Sequence, residues 1–172
     1  MCVVTPNTNK TLTVKEFNKC VDDYSDNLYR FILKNARDEE KAKDVVQDTF
    51  EKFWIKKDEV QPGKEKSYLF TTAYHTFIDL TRREKKQGNF SEVVENNYTS
   101  TNQYTGLQEV LEQALNQLPA DQKSVILLRD YEGYAYNEIA EITGLSESQV
   151  KVYIFRGRQF LQQYLGSIEQ VL

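Results

Sequence analysis

A helix-turn-helix pattern between residues 119 and 165 constrains the fold of this chain more than any other feature of its sequence. Residues 136–143 have the apolar spacing of a short amphipathic helix. Gly144 follows directly and supplies the backbone freedom that a tight turn between two helices requires. Ser146 and Gln149 then have the spacing of a capping box. The sequence therefore predicts a second helix that begins directly after this cap.

The predicted second helix has two contrasting sides. One side carries an apolar stripe that is expected to be buried, and it consists of Val150, Ile154, Gly157, Leu161 and Leu165. At about 100° per residue, the opposite side presents cations, apolar side chains and a glutamine, namely Lys151, Val152, Phe155, Arg156 and Gln159. Arg and Lys pair with guanine edges in the major groove of DNA, and an apolar side chain contacts a thymine methyl group. This side is a candidate DNA-reading surface; the alternative is an ordinary surface helix whose Phe155 covers a neighbouring domain.

Two helical modules are predicted on either side of a polar segment. Residues 87–106 are rich in Asn, Thr, Ser and Gln and show no sustained hydrophobic period, as expected of a linker. No continuous strand-like alternation precedes or follows this segment. The first module is predicted at residues 10–86 and the second at residues 107–168.

Capping signals divide the first module into three predicted helices. Thr13 and Glu16 form a capping box at the start of the first helix. Asp38 is the predicted cap of the second helix, and Ser67 is the predicted cap of the third. The second helix is expected to turn seven side chains inward: Ala42, Val45, Val46, Thr49, Phe50, Phe53 and Trp54.

The predicted second helix also has a polar, acidic face. Its members follow one another at i, i+3, i+4 and i+7, and they are Asp44, Gln47, Asp48 and Glu51. Like charges at i, i+4, such as Asp44 and Asp48, repel each other by a few tenths of a kcal/mol. A cationic partner surface would turn this repulsion into attraction. The alternative is an ordinary solvated face that Lys43 and Lys52 balance.

The predicted third helix combines aromatic rings with a cationic end. The rings and the imidazole are Tyr68, Phe70, Tyr74, His75 and Phe77, and the cations are Arg82, Arg83, Lys85 and Lys86. Flat rings and positive charge together suit unpaired bases and their phosphates. The alternative is that the aromatic residues form a hydrophobic core.

Composition excludes several classes of protein. The formal net charge of -4 argues against non-specific coating of nucleic acid, which needs a broad cationic surface. Cys2, Cys20 and a single histidine predict neither a disulfide framework nor a metal site. Neither a signal peptide nor a membrane span is apparent, so a cytoplasmic protein is expected. No nucleophile-base arrangement or Gly-rich phosphate loop indicates an enzyme, and no cofactor is expected.

Three segments together resemble the sigma-70 family of bacterial transcription initiation factors, specifically its extracytoplasmic-function (ECF) group. KAKDVVQDTFEKFW is similar to the family's core-polymerase-binding helix, KSYLFTTAYHTFIDLTRREKK to its promoter-melting helix, and residues 115–161 to its -35 reader. The resemblance implies an all-α fold with a sigma-2 helix bundle and a sigma-4 helix-turn-helix domain joined by a flexible linker. It implies core RNA polymerase and promoter DNA as partners. It also implies an anti-sigma factor, which in this group is usually anchored in a membrane.

The resemblance also implies roles for individual residues. Core-polymerase binding falls on the acidic face, Asp44, Gln47, Asp48 and Glu51. Contacts at the -10 element fall on His75, Arg82, Arg83 and Lys86. Contacts at the -35 element fall on Arg129, Lys151, Val152, Phe155, Arg156 and Arg158. His75 stands where many members carry Asn, and a neutral imidazole can still stack and offers one donor and one acceptor. Val152 stands where Ser is frequent, so the base hydrogen bond of that Ser is expected to be lost.

A second hypothesis is a stand-alone helix-turn-helix regulator. It explains the second module but leaves the acidic face and the aromatic helix without a role. A sigma factor explains both modules together.

Overall fold

The computed structural model describes residues 12–88 and 105–169. Within these ranges the chain forms α-helices and one π-helical turn and no strand. The chain divides into two compact units between Thr81 and Arg82. Cys2 and most of the predicted linker lie outside the described residues. The helices are α1 (Val14–Ala36), α2 (Glu39–Lys56), α3 (Glu65–Lys86), α4 (Thr105–Asn116), α5 (Ala120–Ile126), α6 (Tyr136–Thr143) and α7 (Glu147–Glu169), with the π-helical turn at Leu127–Tyr131.

The first two helices begin where their capping residues predict. The Thr13 hydroxyl accepts the Glu16 backbone N–H at 3.2 Å, and the Glu16 carboxylate accepts the Thr13 backbone N–H at 2.9 Å. Asp38 Oδ1 accepts the Lys41 backbone N–H at 3.0 Å. All three bonds satisfy backbone N–H groups that have no partner inside a helix. The predicted starts of α1 and α2 are therefore confirmed.

The third helix begins earlier than predicted. Gly63 has a positive φ of 85° and completes a turn, and its backbone N–H donates to the Glu65 carboxylate at 3.0 Å. The Tyr68 N–H already bonds to the Lys64 carbonyl at 2.9 Å, so Ser67 lies inside the first helical turn. The prediction that Ser67 caps α3 is wrong because the turn at Gly63 lets the helix begin at Glu65, three residues before Tyr68.

Aromatic contacts hold the three helices of the first unit together. The rings of Phe31 and Phe70 join α1 to α3, with centroids 5.6 Å apart, and those of Phe53 and Tyr68 join α2 to α3 at 5.7 Å. Three of the five rings expected on α3 are buried, namely Phe70, Tyr74 and Phe77. These residues form core, as the alternative interpretation held, and His75 alone among the five residues is exposed.

The second unit contains the predicted helix-turn-helix. α6 has the predicted bounds, and α7 begins at Glu147 as predicted. Gly144 between them has a φ of 76°, and Ser146 and Gln149 form the capping box, with bonds of 2.9 and 3.2 Å. Val150, Ile154 and Gly157 of the α7 stripe are buried, whereas Leu161 and Leu165 are half-buried. α7 packs against α4, α5 and α6. The α7 stripe thus forms the centre of this unit.

Candidate protein and nucleic-acid interfaces

The acidic face of α2 is open to solvent. All four of its members are exposed, and the Gln47 side-chain amide donates to Glu51 at 3.3 Å. The opposite side of the helix is anchored by buried Val45, Thr49 and Phe53. The structure therefore brings the four predicted residues together on one accessible surface.

An apolar cleft adjoins the acidic face, and sequence reasoning missed it. Trp54 was expected to face inward, but 42% of its surface is exposed, and Ile55 is 77% exposed. At about 100° per residue, both positions lie well away from the buried stripe of α2. This angular difference, which can be read from the sequence, indicates that the two side chains are exposed. The Phe17 ring from α1 lies 4.9 Å from the Trp54 ring, centroid to centroid. A cavity of about 390 Å³ opens here, lined by Phe17, Gln47, Phe50, Glu51, Trp54 and Ile55.

The cationic end of α3 is also exposed. Arg82, Arg83 and Lys86 are accessible, as is His75. The centroid of the His75 ring lies 5.4 Å from that of the buried Tyr74 ring, and the two ring planes are 76° apart. His75, Arg82 and Lys86 are spaced i, i+7 and i+11 within one continuous helix, so they share a face at about 100° per residue. Arg83 lies beside that face. The four predicted -10 residues therefore form one elongated surface of α3.

The outward side of α7 carries the predicted -35 residues. Phe155 is 68% exposed and Val152 is 42% exposed, a substantial apolar area beside the exposed cations Lys151 and Arg156. The capping box fixes where the helix begins, and the buried stripe fixes its rotation. Phe155 is therefore not buried within its own unit.

Three of the four predicted -35 cations bond within the protein. Lys151 pairs with Glu147 at 2.8 Å, and this bond raises the pKa of the Lys151 ammonium. Arg158 forms a two-pronged ion pair with Asp130, which raises the pKa of its guanidinium. Arg156 forms no hydrogen bond or ion pair with the part of the chain that the structure describes.

Arg129 differs from the other cations because it is half-buried. Its Nη1 donates to the Tyr134 carbonyl at 2.7 Å, and its guanidinium lies 5.0 Å from the centroid of the Tyr136 ring. Lys151 Nζ is 5.9 Å from the same centroid. Tyr136 thus contacts two of the predicted cations, although the sequence pattern did not single it out.

The described residues include no metal-binding cluster and no membrane-spanning helix. No group of three or more His, Cys, Asp or Glu side chains there is arranged to hold a metal ion. None of the helices described is long and apolar enough to span a membrane. Cys20 is half-buried, and its burial raises the pKa of its thiol.

Comparison with known proteins identifies the family. Residues 20–87 match Sigma-70 region 2, and residues 108–161 match Sigma-70, region 4. The ECF RNA polymerase sigma factor SigM of Bacillus subtilis (strain 168) is 30% identical over 144 residues, which cover 81% of this chain and 88% of SigM. The chain belongs to the ECF group of the sigma-70 family. The RNA polymerase sigma factor YlaC of the same organism is 33% identical, covering 81% of this chain and 86% of YlaC.

The fold of this sigma factor is also similar to that of a solved sigma-factor structure. The sigma factor RpoE from Bartonella quintana, crystallised in complex with the anti-sigma factor NepR, is 31% identical with a TM-score of 0.78. The match covers 89% of this chain and 98% of that one. The all-α fold and the resemblance drawn from the sequence are therefore confirmed. Since both units match, the stand-alone regulator no longer explains the chain.

Proposed function

We propose that this ECF sigma factor binds core RNA polymerase through α2 and reads promoter DNA through α3 and α7. The observation that carries the proposal is the outward side of α7. Phe155 and Arg156 project side by side from a helix whose Val150, Ile154 and Gly157 are buried. An exposed ring beside an exposed guanidinium suits a thymine methyl group and a guanine edge. The factor performs no chemistry itself and works where polymerase and DNA are, in the cytoplasm.

The second cationic surface gives α3 its proposed role at the -10 element. Arg82, Arg83 and Lys86 supply charge for phosphates, and His75 presents an exposed ring on the same helix. Stacking on a ring favours an unpaired base, while phosphate contacts position the strand. The proposed division is that α7 recognises duplex DNA and α3 holds the opened strand.

The polymerase-binding surface is proposed to combine the acidic face with the apolar cleft. Asp44 and Asp48 supply negative charge for a cationic partner, and exposed Trp54 and Ile55 offer apolar area. Interfaces of this kind concentrate their binding energy in a few aromatic anchors and use the charged rim for steering. The proposed partner therefore presents an apolar side chain surrounded by cations.

Regulation by an anti-sigma factor is part of the same proposal. The RpoE relative from Bartonella quintana was crystallised with the anti-sigma factor NepR. An inhibitor that covers the exposed surfaces of α2 or α7 would compete directly with polymerase or DNA. We propose that an anti-sigma factor, with or without a membrane anchor, inhibits this sigma factor in that way.

Charge reversal on α2 tests the polymerase assignment. Asp48→Arg, alone or with Asp44→Arg, is expected to abolish capture by immobilised core RNA polymerase, because both carboxylates face solvent and the change inverts their charge. Helix content by circular dichroism should remain that of the parent. The matched control is Asp22→Arg, which makes the same reversal on the exposed surface of α1.

The control decides how the result is interpreted. Asp22→Arg should bind core as the parent does. If the Asp44 and Asp48 double variant is captured as efficiently as the parent, α2 is not the docking surface. Equal losses in Asp48→Arg and Asp22→Arg would indicate a general charge effect and would also contradict the assignment.

A further inference from the structure

Arg158 is held by a carboxylate that lies far from it in the sequence. Its Nε donates to Asp130 Oδ2 at 3.2 Å, and its Nη2 donates to Asp130 Oδ1. The two residues are 28 positions apart, on α7 and on the π-helical turn. Two parallel bonds between a guanidinium and a carboxylate set the orientation of the guanidinium as well as its distance.

The position of Asp130 is fixed by the core beneath it. The π-helical turn is closed by the bond from the Glu132 N–H to the Leu127 carbonyl at 3.2 Å. Leu127 and Leu128 of this turn are fully buried, whereas the Asp130 side chain remains 37% exposed. A π-helical turn is rare and is often found where a side chain has to be placed for function. The backbone that carries Asp130 is therefore held in place by the core, and its carboxylate offers Arg158 a partner at a fixed position.

This pairing has two consequences for binding DNA. It cancels the charge of Arg158, which reduces attraction to any phosphate backbone. It also leaves the guanidinium three of its five N–H groups, held in one orientation. A DNA phosphate can therefore accept hydrogen bonds from these N–H groups only at one position relative to α7. An arginine without such a restraint can change its side-chain conformation and bond to phosphates in many positions.

We propose that Asp130 is a specificity-determining residue of the DNA-binding unit, because it restrains Arg158 and thereby weakens binding to non-cognate duplex more than to the promoter. The inference rests on the proposed contact between α7 and DNA. It assigns to Asp130 a positioning role through Arg158, in contrast to Arg156, whose guanidinium has no partner among the described residues and reads bases directly.

The test compares two duplexes with the holoenzyme formed from core RNA polymerase and the full-length chain, because promoter-specific binding is expected to depend on polymerase. One is a duplex selected from a randomised pool by the holoenzyme, and the other is its scrambled counterpart. Fluorescence anisotropy over a salt series gives Kd and the salt slope for each. Asp130→Asn should tighten binding to the scrambled duplex by about 3- to 10-fold and steepen the salt slope by about one phosphate contact. Binding to the selected duplex should improve less, so the ratio of the two affinities falls.

Two controls separate the action of Arg158 from the simple loss of a negative charge. Glu109→Gln removes the same charge from an exposed position on α4 and should leave the slope unchanged. The double variant Asp130→Asn with Arg158→Gln should lose the gain in scrambled binding. If Asp130→Asn behaves like Glu109→Gln, or if the double variant keeps the gain, the inference is overturned.

A third variant distinguishes this failure from failure of the proposed function. Arg156→Ala should lose discrimination in favour of the selected duplex. If it does so while Asp130→Asn has no effect, only the role of Asp130 is wrong. If Arg156→Ala and Phe155→Ala both bind the two duplexes as the parent does, α7 does not contact DNA, and both proposals fall together.

Discussion

At the scale of single residues, Phe155 and Arg156 should contribute to promoter selectivity in different ways. Arg156→Ala should cost about 1–3 kcal/mol in binding and relax discrimination at one or two -35 positions, since a guanidinium pairs with a particular base edge. Phe155→Ala should also lower selectivity. Because this ring is 68% exposed, its loss should leave the melting temperature near that of the parent.

A base-by-base promoter scan of both variants, together with their melting temperatures, measures these effects. Gln163→Ala, exposed on α7 about two turns beyond Arg156 and outside the candidate DNA-reading surface, is the matched control and should change the base preference least. A large thermal loss in Phe155→Ala with unchanged base preference would show that the ring stabilises the domain and does not read DNA.

At the scale of helices, the approach of α7 to α5 depends on the absence of a side chain at Gly157. A Cβ there would lie 2.2 Å from Ile126 Cδ1 and 3.3 Å from Ile126 Cγ1. Gly157→Ala should therefore lower the free energy of unfolding by about 1–3 kcal/mol through overpacking. Adding Ile126→Val removes Cδ1 and should recover part of the loss. Chemical denaturation of the single and double variants measures this coupling.

Another glycine of the same helix supplies the control. Nothing would lie within 4 Å of a Cβ at Gly166. Gly166→Ala should therefore stabilise the chain by up to about 1 kcal/mol, because Ala favours the helical state more than Gly does. If Gly157→Ala is as favourable as Gly166→Ala, the two helices are not in tight contact at this point.

At the scale of the whole molecule, the charge distribution predicts weak DNA binding by the free chain. The net charge is -4, the cations of α3 and α7 lie on separate helices, and two of those on α7, Lys151 and Arg158, are already paired with carboxylates. Bound to core polymerase, both surfaces can engage one promoter, and the second contact then forms at a high effective concentration.

Mobility shifts at moderate salt, with and without core polymerase, measure this difference. The chain alone should shift promoter duplex weakly, and addition of core should produce a promoter-specific complex. Core without the chain is the control. Tight, sequence-specific binding by the chain alone would contradict the proposed dependence on polymerase.

The sequence determined those features that depend on neighbouring residues. The starts of α1, α2 and α7 follow from caps whose bonds join residues three positions apart, so the pattern contains the whole interaction. Helical periodicity likewise determined that the acidic face and the Phe155 side of α7 lie outward. The family emerged from the same local motifs.

Only the tertiary structure decided the features that join distant segments. The apolar cleft needs Phe17 of α1 beside Trp54 of α2, and the pairing of Arg158 with Asp130 crosses 28 residues. No local spacing encodes such contacts, because they arise when packing of the core brings separate helices together. The same packing buries the rings of Phe70, Tyr74 and Phe77 on α3. From the sequence alone, these rings could belong either to the hydrophobic core or to a surface that stacks on bases.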